Sequence, residues 1–302
     1  RLHHVCRRLG KEHEVFVLTS RLPGTEEREE MDNYTVIRLP SRYLNIYNPP
    51  YVRISRVREA LDELAPDIVD LHYRWAGSLT KGVLGYDGPK VYTCHNTLGG
   101  GVGLTHYASE LNDRMFLRHL DQFDRVVCVS DYMKRDVAAR GFSEDRLQTI
   151  YNGVDIPEAA CMDGDYILSL GRLVRLKGLD TLIKAMQRTE CQLRICGEGP
   201  ERRNLEKLSQ RLGLTDRIDF MGWISEEEKR RMLCECRMFA IPSLHEAYGM
   251  VAAEAMSYGK PVLASNTGGL PEVVGDAGIL VPPQDEKALA EAINALDHDA
   301  EK

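Results

Sequence analysis

Several things are scarce in this sequence, and each argues against a class of protein. No apolar run approaches the ~18 residues that cross a bilayer, and no signal-peptide pattern opens the chain. No strand is followed by a complete G-x-G-x-x-G: in Gly197-Glu198-Gly199-Pro200 the third glycine is missing, because position 202 is Arg. A dinucleotide-dependent dehydrogenase is therefore a poor fit. The eight cysteines have neither metal-site nor disulfide-framework spacing. Cys191 with Cys196, and Cys234 with Cys236, have the apolar neighbours of buried thiols. There is no basic excess either: 39 Lys and Arg face 46 Asp and Glu, a net charge of -7, which argues against a general nucleic-acid binder. No solenoid repeat and no low-complexity segment occurs. The expectation is a soluble chain in a reducing cytoplasm, touching the cytoplasmic face of a membrane only peripherally.

What is present suits a globular protein. The chain has 302 residues, 43% of them hydrophobic and 28% charged, which is ample for two domains of ordinary size. Charge is unevenly spread. Residues 1–150 carry 21 basic and 21 acidic side chains, leaving 18 and 25 for the remainder. Between Tyr34 and Arg58 lie Arg38, Arg42, Arg53, Arg56 and Arg58, with no acid and with Tyr43, Tyr47 and Tyr51 interleaved. Such a run is either a solvated face or a contact with anionic lipid or acceptor.

Apolar runs of strand length alternate with helical patterns throughout, the signature of parallel α/β units. In the first half, strands are predicted at 14–19, 34–38, 67–71, 90–94 and 125–129, with helices at 51–64, 77–84, 104–120 and 131–139. Ser130 reads as the N-cap of the last. After a polar, turn-rich stretch at 152–165 the pattern restarts. Strands at 166–170, 192–196, 217–220, 238–241, 261–264 and 278–281 alternate with helices at 178–186, 200–212, 226–236, 250–258 and 285–296. The expected fold class is α/β: two Rossmann-like, doubly wound domains, 1–155 and 156–302, facing each other across a cleft. Arg1 falls inside a helical pattern (Leu2, Val5, Leu9), with no first strand or glycine-rich turn before it, and the last helix stops abruptly. A truncated chain is expected at both ends.

The densest constellation runs from Pro242 to Glu272. A strand delivers the loop from Ser243 to Tyr248, and Gly249 turns the backbone into a helix. Free amides at Gly249, Met250 and Val251, together with the helix dipole, favour an anion there, with a diphosphate as the obvious candidate. Glu246 and Glu254 are eight residues apart, which on an ideal helix is roughly 80° and about 12 Å. They cannot share a proton and would grip different parts of a long ligand, each accepting hydroxyl hydrogen bonds. Glu254, among Val251, Ala252, Ala253, Ala255 and Met256, needs a partner. The second constellation is Gly171-Arg172-Leu173-Val174-Arg175-Leu176-Lys177-Gly178, directly after a strand. Arg172 and Lys177 there would neutralise a leaving diphosphate without a metal. Gly197 and Gly199 read as a turn passing a nucleotide base or as a tight turn and no more. Thr267-Gly268-Gly269-Leu270-Pro271-Glu272 reads as a source of amides for a sugar or phosphate. Gly99-Gly100-Gly101 reads as a mobile loop, His95 as an acceptor-side group or a structural histidine, and His245 as a loop residue.

Together these motifs resemble the retaining glycosyltransferases of family four, which have the GT-B fold. The carriers are Asn152-Gly153-Val154-Asp155, the G-R-x4-K-G block at Gly171 to Gly178, Gly197-x-Gly199, the E-x7-E pair Glu246 and Glu254, and Thr267 to Glu272. The resemblance covers the whole chain and is stronger after Tyr151. It implies that Arg172 and Lys177 bind the donor diphosphate, with Gly171, Ser243 and the amides at Gly249, Met250 and Val251 nearby. It also implies that Glu246 meets the sugar hydroxyls, that Glu254 holds the ribose, and that His95 faces sugar and acceptor. The implied chemistry is metal-independent transfer with retention, the leaving phosphate assisting deprotonation of the acceptor, so Glu246 is no nucleophile.

The reading is therefore transfer of a hexosyl or N-acetylhexosaminyl group from a nucleotide diphosphate sugar, UDP-linked ahead of GDP-linked, to a hydroxyl of a glycan, lipid or other acceptor. The donor is a substrate, and no cofactor is expected. The alternatives are a sugar-nucleotide 2-epimerase on a similar fold and an inactive nucleotide-sugar-binding fragment.

Overall fold

The computed structural model describes residues 2–44, 51–98, 104–157, 161 and 164–299. The readings placed on Tyr47 and on Gly99, Gly100 and Gly101 lie outside them. In chain order the first half contains α1 (Leu2–Leu9), β1 (Phe16–Ser20), β2 (Arg28–Glu30), β3 (Thr35–Leu39), β4 (Ser41–Leu44), β5 (Tyr51–Ile54), α2 (Val57–Leu64), β6 (Val69–Leu71) and α3 (Gly77–Leu84). There follow β7 (Lys90–Cys94), α4 (Leu104–Leu117), β8 (Arg125–Cys128), α5 (Asp131–Ala139) and β9 (Leu147–Thr149). The second half contains β10 (Tyr166–Leu170), α6 (Leu179–Ala185), β11 (Gln192–Cys196), α7 (Arg202–Arg211), β12 (Ile218–Gly222), α8 (Glu226–Glu235) and β13 (Met238–Ile241). It ends with α9 (Met250–Ser257), β14 (Val262–Ser265), α10 (Leu270–Val274), β15 (Gly278–Val281) and α11 (Glu286–Asp299). The class is α/β, as the alternation predicts. Among the described residues no helix is long and apolar enough to cross a membrane.

The chain forms two compact units, Arg1–Thr93 with Leu111–Val127, and Cys94–Glu110 with Cys128–Lys302. In the first unit β1 pairs parallel with β3, β2 pairs antiparallel with β3, and β6 and β7 run parallel. An aromatic group of Tyr92, Phe116 and Phe123 is buried, with Tyr92 and Phe116 centroids 4.7 Å apart. Beside it lies a sealed ion pair. Arg74 Nε donates to Asp113 Oδ1 at 2.6 Å and Nη2 to Oδ2 at 3.2 Å, with side-chain exposures of 3% and 0%. The Arg74 guanidinium also lies 5.5 Å from the Trp75 ring, within cation–π range.

Three short strands of this unit, β2, β4 and β5, lie outside the sequence reading. The helix expected from 51 begins only at Val57. Residues 51–54 form β5, antiparallel to β4, with Val52 and Ile54 buried and Arg53 exposed. The Val-Arg-Ile alternation has the period of a strand, and Arg56, left-handed at φ 60°, separates it from the helix. In α1 the expected apolar positions Leu2, Val5 and Leu9 are exposed, and Cys6 is the buried residue.

The second unit is built on a six-stranded parallel sheet ordered β12-β11-β10-β13-β14-β15. Strands covered on both faces read as continuous apolar runs, and β10, β13 and β14 are buried at every position. Along β10 the side chains alternate: Ile167 joins Leu182, Ile195 and Leu263 on one face, while Leu168 joins Phe239, Ala252 and Ala255 on the other. Full burial of a side chain such as Phe239 or Leu182 contributes about 1.5–3 kcal/mol. The strand order reverses between β10 and β13, so the crevice of this sheet opens at the carboxyl ends of those two strands.

The cysteines correct one expectation and uphold another. Cys161 and Cys234, 73 residues apart, are joined by a disulfide. That span gives no local spacing signal, because the bridge depends on the fold bringing the two together. Cys191, Cys196 and Cys236 are buried thiols, as their neighbours predict, and Cys6, Cys94 and Cys128 are buried too; Cys234, read as a buried thiol, is instead in the bridge. Burial pushes Cys128 and Cys196 up to about 12 and Cys191 up to about 11, so they are inert as thiolates at neutral pH.

Candidate functional site

The two strongest sequence motifs leave the sheet at the reversal point. The G-R-x4-K-G block follows β10, and the loop from Pro242 to Gly249 follows β13. Leu244 N donates to Leu176 O at 2.8 Å, tying one loop to the other. Gly178 is left-handed at φ 60°, and a Cβ there would collide with the Pro242 carbonyl. Only glycine meets both demands. Between the loops lies a pocket lined by Ser169, Gly171, Arg172, Lys177, Pro242 and Ser243.

From its lining Lys177 Nζ donates to Glu246 Oε2 at 2.5 Å, with side-chain exposures of 24% and 19%. Ser243, fully buried, reaches the same oxygen at 3.5 Å. Sequence spacing places both residues at one site but does not join them. Arg172 is exposed at the rim. Gly249, at φ 103°, is the N-cap of α9, so the first amides of Met250 and Val251 have no acceptor within the helix. Glu254, on the same helix, has the partner its apolar surroundings require: Lys229 Nζ lies 3.3 Å from its Oε1. His95 directly follows β7 and is half-buried.

A Cβ at Gly197 would strike the Gly171 carbonyl, and one at Gly199 would strike that of Leu173. Packing of the loops after β10 and β11 therefore suffices to require these glycines. In the stretch 267–272, Thr267 N, Gly269 N and Leu270 N already donate to Ser265 O, Glu246 O and Thr267 O. Its last residue turns to another task. Glu272 accepts from the amides of Asp131 and Tyr132, both at 2.6 Å, capping the first turn of α5. Ser130, the N-cap read from the sequence, accepts from Met133 N at 3.1 Å and donates to Ala247 O at 2.7 Å. No motif announces contacts across 140 residues.

Sequence reasoning also passed over Lys229 and Trp223. The Ser225-x-x-Glu228 capping box fixes the start of α8 and was readable. Trp223, 77% exposed, follows Gly222, whose carbonyl accepts from Gly197 N at 2.7 Å. Among the described residues no three His, Cys, Asp or Glu side chains are grouped as metal ligands.

Comparison with known proteins gives this geometry its class. Residues 157–302 match the model for glycosyl transferases group 1, and residues 1–158 match that for glycosyltransferase family 4. The chain belongs to glycosyltransferase family 4, and its fold is of the GT-B type. An uncharacterized glycosyltransferase of Methanocaldococcus jannaschii is 30% identical over 244 residues, covering 78% of this chain and 66% of that protein. A second from the same organism is 29% identical, covering 69% of this chain and 60% of its own length. The chain thus spans about two thirds or less of these relatives. Among solved structures, sucrose-phosphate synthase from Thermosynechococcus elongatus superposes with a TM-score of 0.78 at 25% identity, covering 97% of this chain and 82% of that one. HepE of Anabaena, solved with UDP and glucose, gives 0.76 at 20% identity, covering 96% and 91%.

Proposed function

We propose that this glycosyltransferase moves a hexosyl or N-acetylhexosaminyl group from a nucleotide diphosphate sugar, UDP-linked in preference to GDP-linked, to a hydroxyl of a glycan or lipid-linked acceptor. Transfer retains the anomeric configuration and needs no metal. The observation that carries this is the half-buried Lys177–Glu246 pair at the reversal point of the sheet, beside the first turn of α9. Lys177 and Arg172 neutralise the diphosphate as it leaves, and the amides of Met250 and Val251 add fixed partial charge to the same end. Glu246 accepts from sugar hydroxyls, Glu254 accepts from the ribose, and His95 serves the acceptor side. Retention follows if the departing phosphate takes the acceptor proton on the face it leaves, which requires no enzyme nucleophile. The UDP and glucose bound by HepE favour the uridine donor. A division at 155/156 is supported by the junction of the two family matches.

Calorimetry with UDP, GDP and their common sugar conjugates tests the donor, and the anomeric proton coupling of the product tests the stereochemistry. Absence of heat with every nucleotide would sink the donor assignment, and an inverted product would sink retention.

The arginine-rich segment at 38–58 gives the membrane reading a concrete form. Arg42 and Arg53 stand directly opposite each other in the β4–β5 ribbon, exposed, and neither has an ion-pair partner among the described residues. Like charges facing across strands repel, and an anionic surface relieves that. At ~1 kcal/mol per basic side chain, the double variant Arg42→Ala, Arg53→Ala should bind phosphatidylserine vesicles about 30-fold more weakly in sedimentation. Unchanged partitioning would remove the membrane from this account.

A further inference from the structure

Glu254 is held by a residue that no motif includes. Lys229 Nζ lies 3.3 Å from Glu254 Oε1 and 2.8 Å from Glu226 Oε2. The lysine side chain is 22% exposed, Glu254 is 26% exposed, and Glu226 is 76% exposed. An ion pair with so exposed a carboxylate as Glu226 contributes little. The pairing with Glu254 is the better shielded of the two. It joins two packed helices: Met232 and Leu233 of α8 share one buried cluster with Ala252 and Ala255 of α9. The start of α8 is fixed by the reciprocal cap of Ser225 and Glu228, so Lys229 enters from a defined position. Burial by itself would lower the lysine pKa, yet its hydrogen bond to Glu226 and the charge of Glu254 hold it above its usual value, so the cation persists at neutral pH. Of the two Glu254 oxygens, Oε1 takes the ammonium, and Oε2 has no protein partner among the described residues.

We infer that Lys229 is a positioning residue: it fixes the Glu254 carboxylate by one oxygen so that the other is aimed at the ribose hydroxyls of a nucleoside diphosphate. This rests on the assignment of Glu254 to the ribose. A carboxylate free to rotate would lose orientation on each binding event, whereas one tethered by a cationic bridge is preorganised.

The test compares UDP with 2′-deoxy-UDP by calorimetry in the parent protein and in K229M, K229Q, K229R and E254Q. GDP with 2′-deoxy-GDP takes their place if the parent prefers guanine. K229M should weaken UDP about tenfold, as expected for one charge-assisted hydrogen bond, and should change 2′-deoxy-UDP less than about twofold. K229R should recover most of the difference, and the donor KM should rise with kcat nearly unchanged. K229Q repeats the measurement with a polar stem should K229M melt early. Equal weakening of both nucleotides would mean that Lys229 acts only on folding or net charge, and would overturn the inference. If E254Q flattens the ribose preference while K229M and K229Q keep it, the donor reading stands and the role of Lys229 falls. If E254Q leaves the preference intact, or neither nucleotide binds the parent, the ribose assignment itself fails and takes this inference with it.

Discussion

Replacing Lys177 with alanine should lower kcat by about 10²–10³-fold, the usual cost of removing one preorganised group that meets developing negative charge. Release of UDP from a UDP-sugar donor measures it. The size of the effect follows from three features of the site. Lys177 is held at 2.5 Å by Glu246, so its ammonium is already placed before a ligand arrives. It is mostly shielded, at 24% exposed, where a charge acts more strongly than in water. Among the described residues, its loss also leaves Glu246, at 19% exposed, with only the distant Ser243 hydroxyl, so a carboxylate without its counter-ion would face an incoming diphosphate. The effect should therefore appear in both kcat and donor affinity. Glu246→Gln separates the two contributions, because it keeps the cation and removes the repulsion. Wild-type turnover and affinity in Lys177→Ala would show that the cation is not at the reacting centre.

Arg74→Met should destabilise the protein by about 3–5 kcal/mol, the range for stranding one member of a buried ion pair. Asp113 is wholly enclosed, and the Arg74 fork supplies two of its hydrogen bonds. Methionine fills part of the volume and none of the charge. Adding Asp113→Leu should restore much of the loss, because an apolar pair has no charge to solvate. Urea unfolding of the single and double variants checks this. A single variant as stable as the parent would mean that water reaches Asp113.

The sheet of the second unit was legible because its physics is local. Buried parallel strands must be short apolar runs, and β10, β11, β13 and β15 fall where those runs predict. Ser130 and Asp131 likewise announce α5 by chemistry confined to one turn. In the β4–β5 ribbon, β5 reads as the start of a helix and β4 reads as no element. Both strands are brief and carry exposed arginines, so the alternation is swamped by the helical pattern that follows. The site divides along the same line. Lys177, Glu246 and Glu254 could be nominated from spacing, because each motif sits at the end of a strand or the start of a helix. That Lys177 binds Glu246, that Lys229 reaches Glu254, and that Cys161 finds Cys234 depend on separations of 69, 25 and 73 residues. No periodicity extends that far.

The Glu272 cap has a consequence for dissecting the molecule. Excising 157–302, the stretch that matches one family model, would sever Glu272 from the two amides of α5 and the Ala247 carbonyl from the Ser130 hydroxyl. Ala247 lies one residue from Glu246, so the excised piece would carry a loosened Glu246 loop even if its sheet folded intact. The natural seam for an autonomous fragment is therefore upstream of Ser130, keeping α5 with the lobe whose acid it wears as a cap.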